Sequence, residues 1–242
     1  MTVRTIVAGA LLALLPASVL NGQSAPLPRW RTTIDLGVVN TTGNSRLRTV
    51  NLSEQLVYHA APLAITQTAS VVNGYSAGQE VANSLKAGLR GDYDLAARLR
   101  AYGQLVYERN RFAGIARRFE EAAGLSYGAL TGPKHVLDLE AGAGVNQQRG
   151  TGGPVENFWL ARGAARYRYN ITGNAYGEEK AEVLENLQTT ADTRVNSETA
   201  LVAPLSRNVA LKLGYVVRFD NVPEPGFKKT DQIFSSGLQV VF

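Results

Sequence analysis

The chain has 242 residues, ample for one domain, and carries 25 Lys and Arg against 20 Asp and Glu. Charges of both signs are spread along its whole length, without a basic face set beside stacking aromatics, so no nucleic-acid partner is expected. The absence of cysteine excludes a disulfide framework, a thiolate metal site and a cysteine nucleophile, and only two histidines are available for catalysis.

Taken in chain order, Arg4, the apolar run Ile6 to Leu15 and then Pro16, Ala17 and Ser18 form the basic, hydrophobic and small-residue regions of a secretory signal. The run is too short for a transmembrane helix, which needs about 20 apolar residues. Residues 1–24 are therefore expected to be a signal peptide cut near Gly22 to Ala25, and residues 25–242 the exported domain.

From Trp30 onward the dominant period is two, the mark of strands whose alternate side chains face opposite surfaces. Leu85, Ala87, Leu89, Tyr93 and Leu95 alternate with Lys86, Gly88, Arg90, Asp92 and Asp94. The same division separates Leu137, Leu139, Ala141 and Ala143 from Asp138, Glu140, Gly142 and Gly144, and Leu211, Leu213, Tyr215 and Val217 from Lys212, Gly214 and Arg218. The reading is an all-β protein, an antiparallel transmembrane barrel of about twelve strands, each near the ten residues that a tilted membrane strand requires. Strands are expected to begin near Trp30, Arg46, Leu63, Val81, Leu99, Arg117, His135, Phe158, Ala175, Asp192, Val209 and Asp231.

Short turns at 59–62, 96–98, 131–134, 170–174 and 205–208 then fall at one end, and longer Gly- or Pro-rich loops at 74–80, 148–157 and 221–230 at the other. Trp30, Tyr75, Tyr93, Tyr107, Tyr127, Trp159, Tyr167, Tyr169 and Phe219 lie toward strand ends, where interfacial girdles place aromatics. Glu178 to Gln188 is rich in helix formers, so that segment reads either as a strand or as a helix. In the last strand, Phe234, Leu238, Val240 and the terminal Phe242 share one face, an arrangement resembling the assembly signal of outer-membrane barrels.

Periodicity does not say which face is outside. The polar face carries Lys86, Arg90, Asp92, Arg100, Glu108, Arg118, Glu120, Asp138, Glu140, Arg162, Arg166, Arg168 and Arg218, candidates to line a water-filled lumen while the apolar face meets lipid. The favoured function is a narrow, non-enzymatic channel for ions or small polar solutes, biased toward anions by Lys86, Arg90, Arg162, Arg166, Arg168 and Arg218 and moderated by Glu108, Asp138 and Glu140. A closed structural or envelope-stress barrel with internally paired charges is the alternative. A membrane-embedded hydrolase ranks third, because His59 and His135 fall at the short-turn end, away from an outer-face lipid substrate. No cofactor or metal is expected, although Asp220, Glu224 and Asp231 flank the last loop. Arg149, Lys228 and Lys229 are suitable partners for lipopolysaccharide phosphates.

Thr42-Gly43-Asn44-Ser45, Tyr107-Glu108-Arg109-Asn110-Arg111-Phe112-Ala113-Gly114 and Ala141-Gly142-Ala143-Gly144-Val145 carry a family resemblance, which is most specific toward the carboxy terminus. Asn196-Ser197-Glu198-Thr199-Ala200-Leu201, Leu211-Lys212-Leu213-Gly214-Tyr215 and Pro223-Glu224-Pro225-Gly226-Phe227-Lys228-Lys229-Thr230-Asp231 look like the last three strands and final loop of that family. The chain resembles a family of bacterial outer-membrane barrels of uncharacterised function, described as salt-induced outer-membrane proteins. The resemblance implies a barrel located in the outer membrane; the partners expected there are its lipid and lipopolysaccharide and, from the terminal strand, the barrel-assembly machinery. It implies no substrate, cofactor or catalytic residue.

Overall fold

The computed structural model describes residues 29–41, 47–172 and 174–242; the expected signal peptide and the Thr42 to Ser45 motif lie outside the described residues. Twelve strands follow one another: β1 (Trp30–Thr41), β2 (Leu47–Ala60), β3 (Leu63–Ser76), β4 (Gln79–Ala96), β5 (Leu99–Asn110), β6 (Ile115–Thr131), β7 (His135–Gly150), β8 (Val155–Thr172), β9 (Ala175–Asn186), β10 (Thr193–Pro204), β11 (Val209–Asp220) and β12 (Thr230–Val241). Each pairs antiparallel with its neighbours in sequence, and β12 returns to β1 to close a barrel. Over the stretch from Thr33 to Gly37, closure satisfies the ladder hydrogen bonds that an open sheet leaves bare at its edges.

The polarity of the wall is inverted relative to a water-soluble barrel. Leu36, Leu52, Leu89, Leu105, Leu125, Leu139 and Leu201 point outward and are exposed, whereas Glu120, Asn146, Arg162 and Arg194 point inward and are buried. Water disfavours that arrangement on both counts, since it wets the apolar side chains and withdraws the charged ones. Tyr58 packs tilted against Trp30 at 4.3 Å near the short-turn end, and Tyr107 packs against Phe119 at 4.9 Å toward the other.

Glu178 to Asn186 is strand, not helix, because alternation overrides propensity: Glu178, Glu182 and Leu184 face β8 and β10 partners on the inner side while Ala181 and Val183 face out. Two connections are shorter than expected. The 74–80 loop is a two-residue turn at Ala77 and Gly78, whose φ values of 50° and 85° give the left-handed pair that matches strand twist. Polar residues that look like loop there are ladder rungs, as with Tyr75 opposite Glu80. The 148–157 loop shrinks to residues 151–154, for Gln148 pairs with Glu156 and Arg149 with Val155.

Strands β6 and β7 approach each other through glycine. A Cβ at Gly144 would overlap the carbonyl oxygen of Glu121, and one at Gly142 would meet both the Ala123 carbonyl and the Tyr102 hydroxyl. These glycines make room for a facing backbone and a tyrosine. Gly144→Val is expected to destabilise the barrel by ~1–3 kcal/mol, the usual cost of forcing extra carbons into a packed site, seen as a lower urea midpoint for heat-modifiable gel mobility.

Candidate functional site

Alternation sends most charges of β4 to β8 into the barrel, Glu121 opposite the outward Leu105 being an exception, and register sets the inward ones side by side. Lys86 lies opposite Glu108, Glu108 opposite Arg118, and Asp138 opposite Arg166. Lys86, Arg90, Asp92, Arg100, Glu140, Arg162, Arg166 and Arg218 border one interior cavity, and Lys86, Glu108, Arg118, Glu120 and Arg218 border a second. Asp138 and Arg168 reach the inner face as ion-pair partners of Arg100 and Glu178.

The centre of this array is a crossed network. The Arg90 guanidinium donates to Asp92 at 2.8 and 2.7 Å and to Glu140 at 3.0 and 2.8 Å, and lies 4.3 Å from the centroid of the Tyr102 ring. Arg162 donates to Glu140 at 2.7 Å, to Glu182 at 2.6 Å and to the Tyr102 hydroxyl at 2.9 Å. Toward the loop end, Arg218 and Arg118 share Glu108 at 3.1 and 3.5 Å, and Arg194 faces Glu120 at 3.8 Å. Toward the turn end, Arg100 and Arg166 share Asp138 at 2.7 and 3.4 Å, and Arg168 and Lys180 share Glu178 at 2.7 and 3.1 Å. Lys212 and Gln239 hold Asp35 at 2.6 and 2.9 Å beside the closing seam.

Sequence reading did not single out Tyr102, Lys180, Glu182, Arg194 or Lys212 as site residues. They obey the same alternation, but the ambiguous segment around 178–188 hid Lys180 and Glu182, and no local pattern marks the cross-lumen partners.

Network and space divide the interior between them. Bulky charged and aromatic side chains fill the β5 to β10 side, while Ser53, Thr66, Thr68, Ser70 and Gly88 line the β2 to β4 side with little volume. Along this thinner wall runs a cavity of about 1000 Å³ that reaches His59 and Asp94 at the turn end. A second cavity of about 200 Å³ reaches Pro223, Lys228 and Lys229 at the loop end. The linings of the two share Lys86, Gln104, Val106, Glu182, Asn196 and Arg218, which form the zone between them. In that zone Arg218 is held by Glu108, and Glu182 by Arg162 and Asn196. Lys86 makes no ion pair among the described residues.

The final loop leans over the loop-end mouth, with Glu224 and Phe227 against Gly114 and the Glu224 carboxylate against Gly150. Burial, then the Glu156 charge, push the Glu224 carboxyl above the ordinary carboxylate range. A raised pKa means that the folded loop holds this proton more tightly. The contribution to loop docking is thus fully present below the ordinary carboxylate value and is lost as pH rises through the raised one. A nitroxide at Pro225→Cys is expected to become more mobile across that window, and Glu224→Gln to flatten the response.

Other candidates do not assemble into chemistry. The His135 Nδ1 lies 2.8 Å from the Tyr167 hydroxyl, and neither histidine is hydrogen-bonded to a serine among the described residues. Asp220, Glu224 and Asp231 form no metal-binding cluster with His, Asp or Glu among the described residues. Lys228 and Lys229 border the inner cavity, and Lys229 donates to Asn221 at 3.0 Å, so they serve the mouth as well as the surface.

Comparison with known proteins agrees with this geometry. Uncharacterized protein YdiY of Escherichia coli (strain K12) is 24% identical over 225 residues, covering 90% of this chain and 88% of its own. A solved NanC porin structure superposes with a TM-score of 0.50 at 9% identity, covering 87% of this chain and 97% of that one, a likeness of fold alone. From Ile34 to Phe242, almost the whole barrel matches one family, and the chain belongs to it: the family described as protein of unknown function, DUF481.

Proposed function

We propose that the protein is a narrow diffusion channel of the bacterial outer membrane, passing ions and small polar solutes with a preference for anions set at Lys86. The supporting observation is a pair of interior cavities whose linings adjoin at Lys86 and Arg218, one reaching the turn end and the other the loop end; the channel reading makes that junction its constriction. Rings of charge at such a constriction decide which ions enter. Because Arg90, Arg162 and Arg218 are each held in ion pairs with carboxylates and Lys86 in none among the described residues, the anion bias expected of the whole basic set is reassigned mainly to Lys86.

Placement follows from the same reading. The 1–24 segment directs export, and Phe234, Leu238, Val240 and Phe242 present the carboxy-terminal strand to the barrel-assembly machinery. The short turns then face the periplasm, the apolar belt meets lipid, and Arg149 with the loop lysines meets lipopolysaccharide. Liposome swelling with a graded series of sugars tests the channel: monosaccharides are expected to enter and larger oligosaccharides to be excluded. A folded barrel that admits none favours the closed structural alternative, which the density of ion pairs around Arg162 supports.

A further inference from the structure

The seam that closes the barrel is incomplete. β1 and β12 pair from Thr33 opposite Val241 to Gly37 opposite Gly237, and there the ladder ends. Each strand continues toward the loop end on its other partner, β1 along β2 to Thr41 and β12 along β11 to Thr230. Among the described residues, the backbone of 39–41 and of 230–235 therefore has no strand across the seam.

The consequence depends on the membrane placement proposed above. Hydrocarbon leaves unpaired N–H and C=O groups unsatisfied, and such backbone persists at membrane depth only where it borders a water-filled cavity. The large lumen cavity does border this notch, through Ile233, Ser235 and Ser236. Close by, the lining turns apolar at Val72, Val216 and Ile233, and the same cavity holds the unpaired Lys86 ammonium.

We propose that the notch is a lateral entrance by which a single-chain carboxylate amphiphile passes between the outer leaflet and the lumen. Its tail lies across Val216, Ile233 and Val72, and its carboxylate accepts from Lys86. A head group alone would need no opening in the lipid-facing wall, and a tail alone would find no gain at a lysine.

The test uses the protein refolded in lipid nanodiscs, with sodium dodecanoate as probe. The Phe242 amide donates across the seam to Thr32 while the Val241 amide donates to Asn208 on the other side. By alternation, the Phe234 and Gln232 amides face the notch and those of Ile233 and Ser235 face β11. Exchange measured by NMR is expected to be about a hundredfold faster at Phe234 than at Ser235, as an unpaired amide beside a paired one should be. Dodecanoate is expected to shift the Ile233 and Val216 methyl signals saturably, and Lys86→Gln to weaken it about tenfold, the loss of one charge-assisted contact, with dodecanol binding unchanged. Equal protection at Phe234 and Ser235, from a zipped seam or from a covering strand, overturns the opening. Absent methyl shifts, or equal dodecanoate affinity in Lys86→Gln, overturn the ligand. None of these readouts requires conductance, so they stand or fall apart from the channel.

Discussion

Lys86→Glu is expected to reverse the preferred ion. In a planar bilayer under a salt gradient, the reversal potential should change sign from anion- to cation-selective. Lys86 lies where the two cavities meet, and no carboxylate holds it within ion-pair distance among the described residues. A unit charge acting at 4 Å through water is worth about 1 kcal/mol, so a swing of two charges moves the permeability ratio roughly tenfold or more. Lys86→Gln should fall between the two. Replacing Arg166 and Arg168 by Glu should do less: both are already paired, with Asp138 and Glu178, and both are exposed enough to be screened.

Arg162→Leu is expected to be among the most destabilising single changes in the barrel. Arg162 is 8% exposed and joins Glu140, Glu182 and Tyr102. Removing one member of a buried charged set strands its partners and costs roughly 3–5 kcal/mol. Here the loss should lie toward the lower figure, because Glu140 keeps Arg90 and Glu182 keeps Asn196. The readout is the urea midpoint of gel mobility. Neutralising the partners as well, in Arg162→Leu with Glu140→Gln and Glu182→Gln, should recover much of the loss, since no buried charge is then left alone. A triple variant no more stable than the single one would show that Arg162 acts by packing and not by charge.

Much of this architecture is legible in the chain because a membrane barrel repeats one local rule. The strand starts expected at Trp30, Leu63, Leu99, His135, Ala175 and Val209 coincide with the observed ones. They all follow short turns or begin the barrel, where geometry leaves little slack. Starts after the loop end drift by up to three residues, as with Phe158 against Val155, because a ladder extends into polar residues that read as loop. The 178–188 segment was ambiguous for a physical reason: helix propensity is local, whereas the partners that hold Glu178 and Glu182 in a strand lie on β8 and β10. Pairing across the lumen was the least legible layer. Alternation places Lys86, Arg90 and Arg218 on one face, but only the folded ring brings Arg90 to Glu140 and Arg218 to Glu108 and leaves Lys86 unpaired. Lys212 and Asp35, 177 positions apart, meet solely because β12 returns to β1.

Single-channel recording of the refolded protein in a planar bilayer tests the central claim most directly, with heat-modifiable gel mobility showing that the barrel has formed. Steady, small current steps with an anion-selective reversal potential are the predicted result. A correctly folded barrel that inserts and remains electrically silent would contradict it.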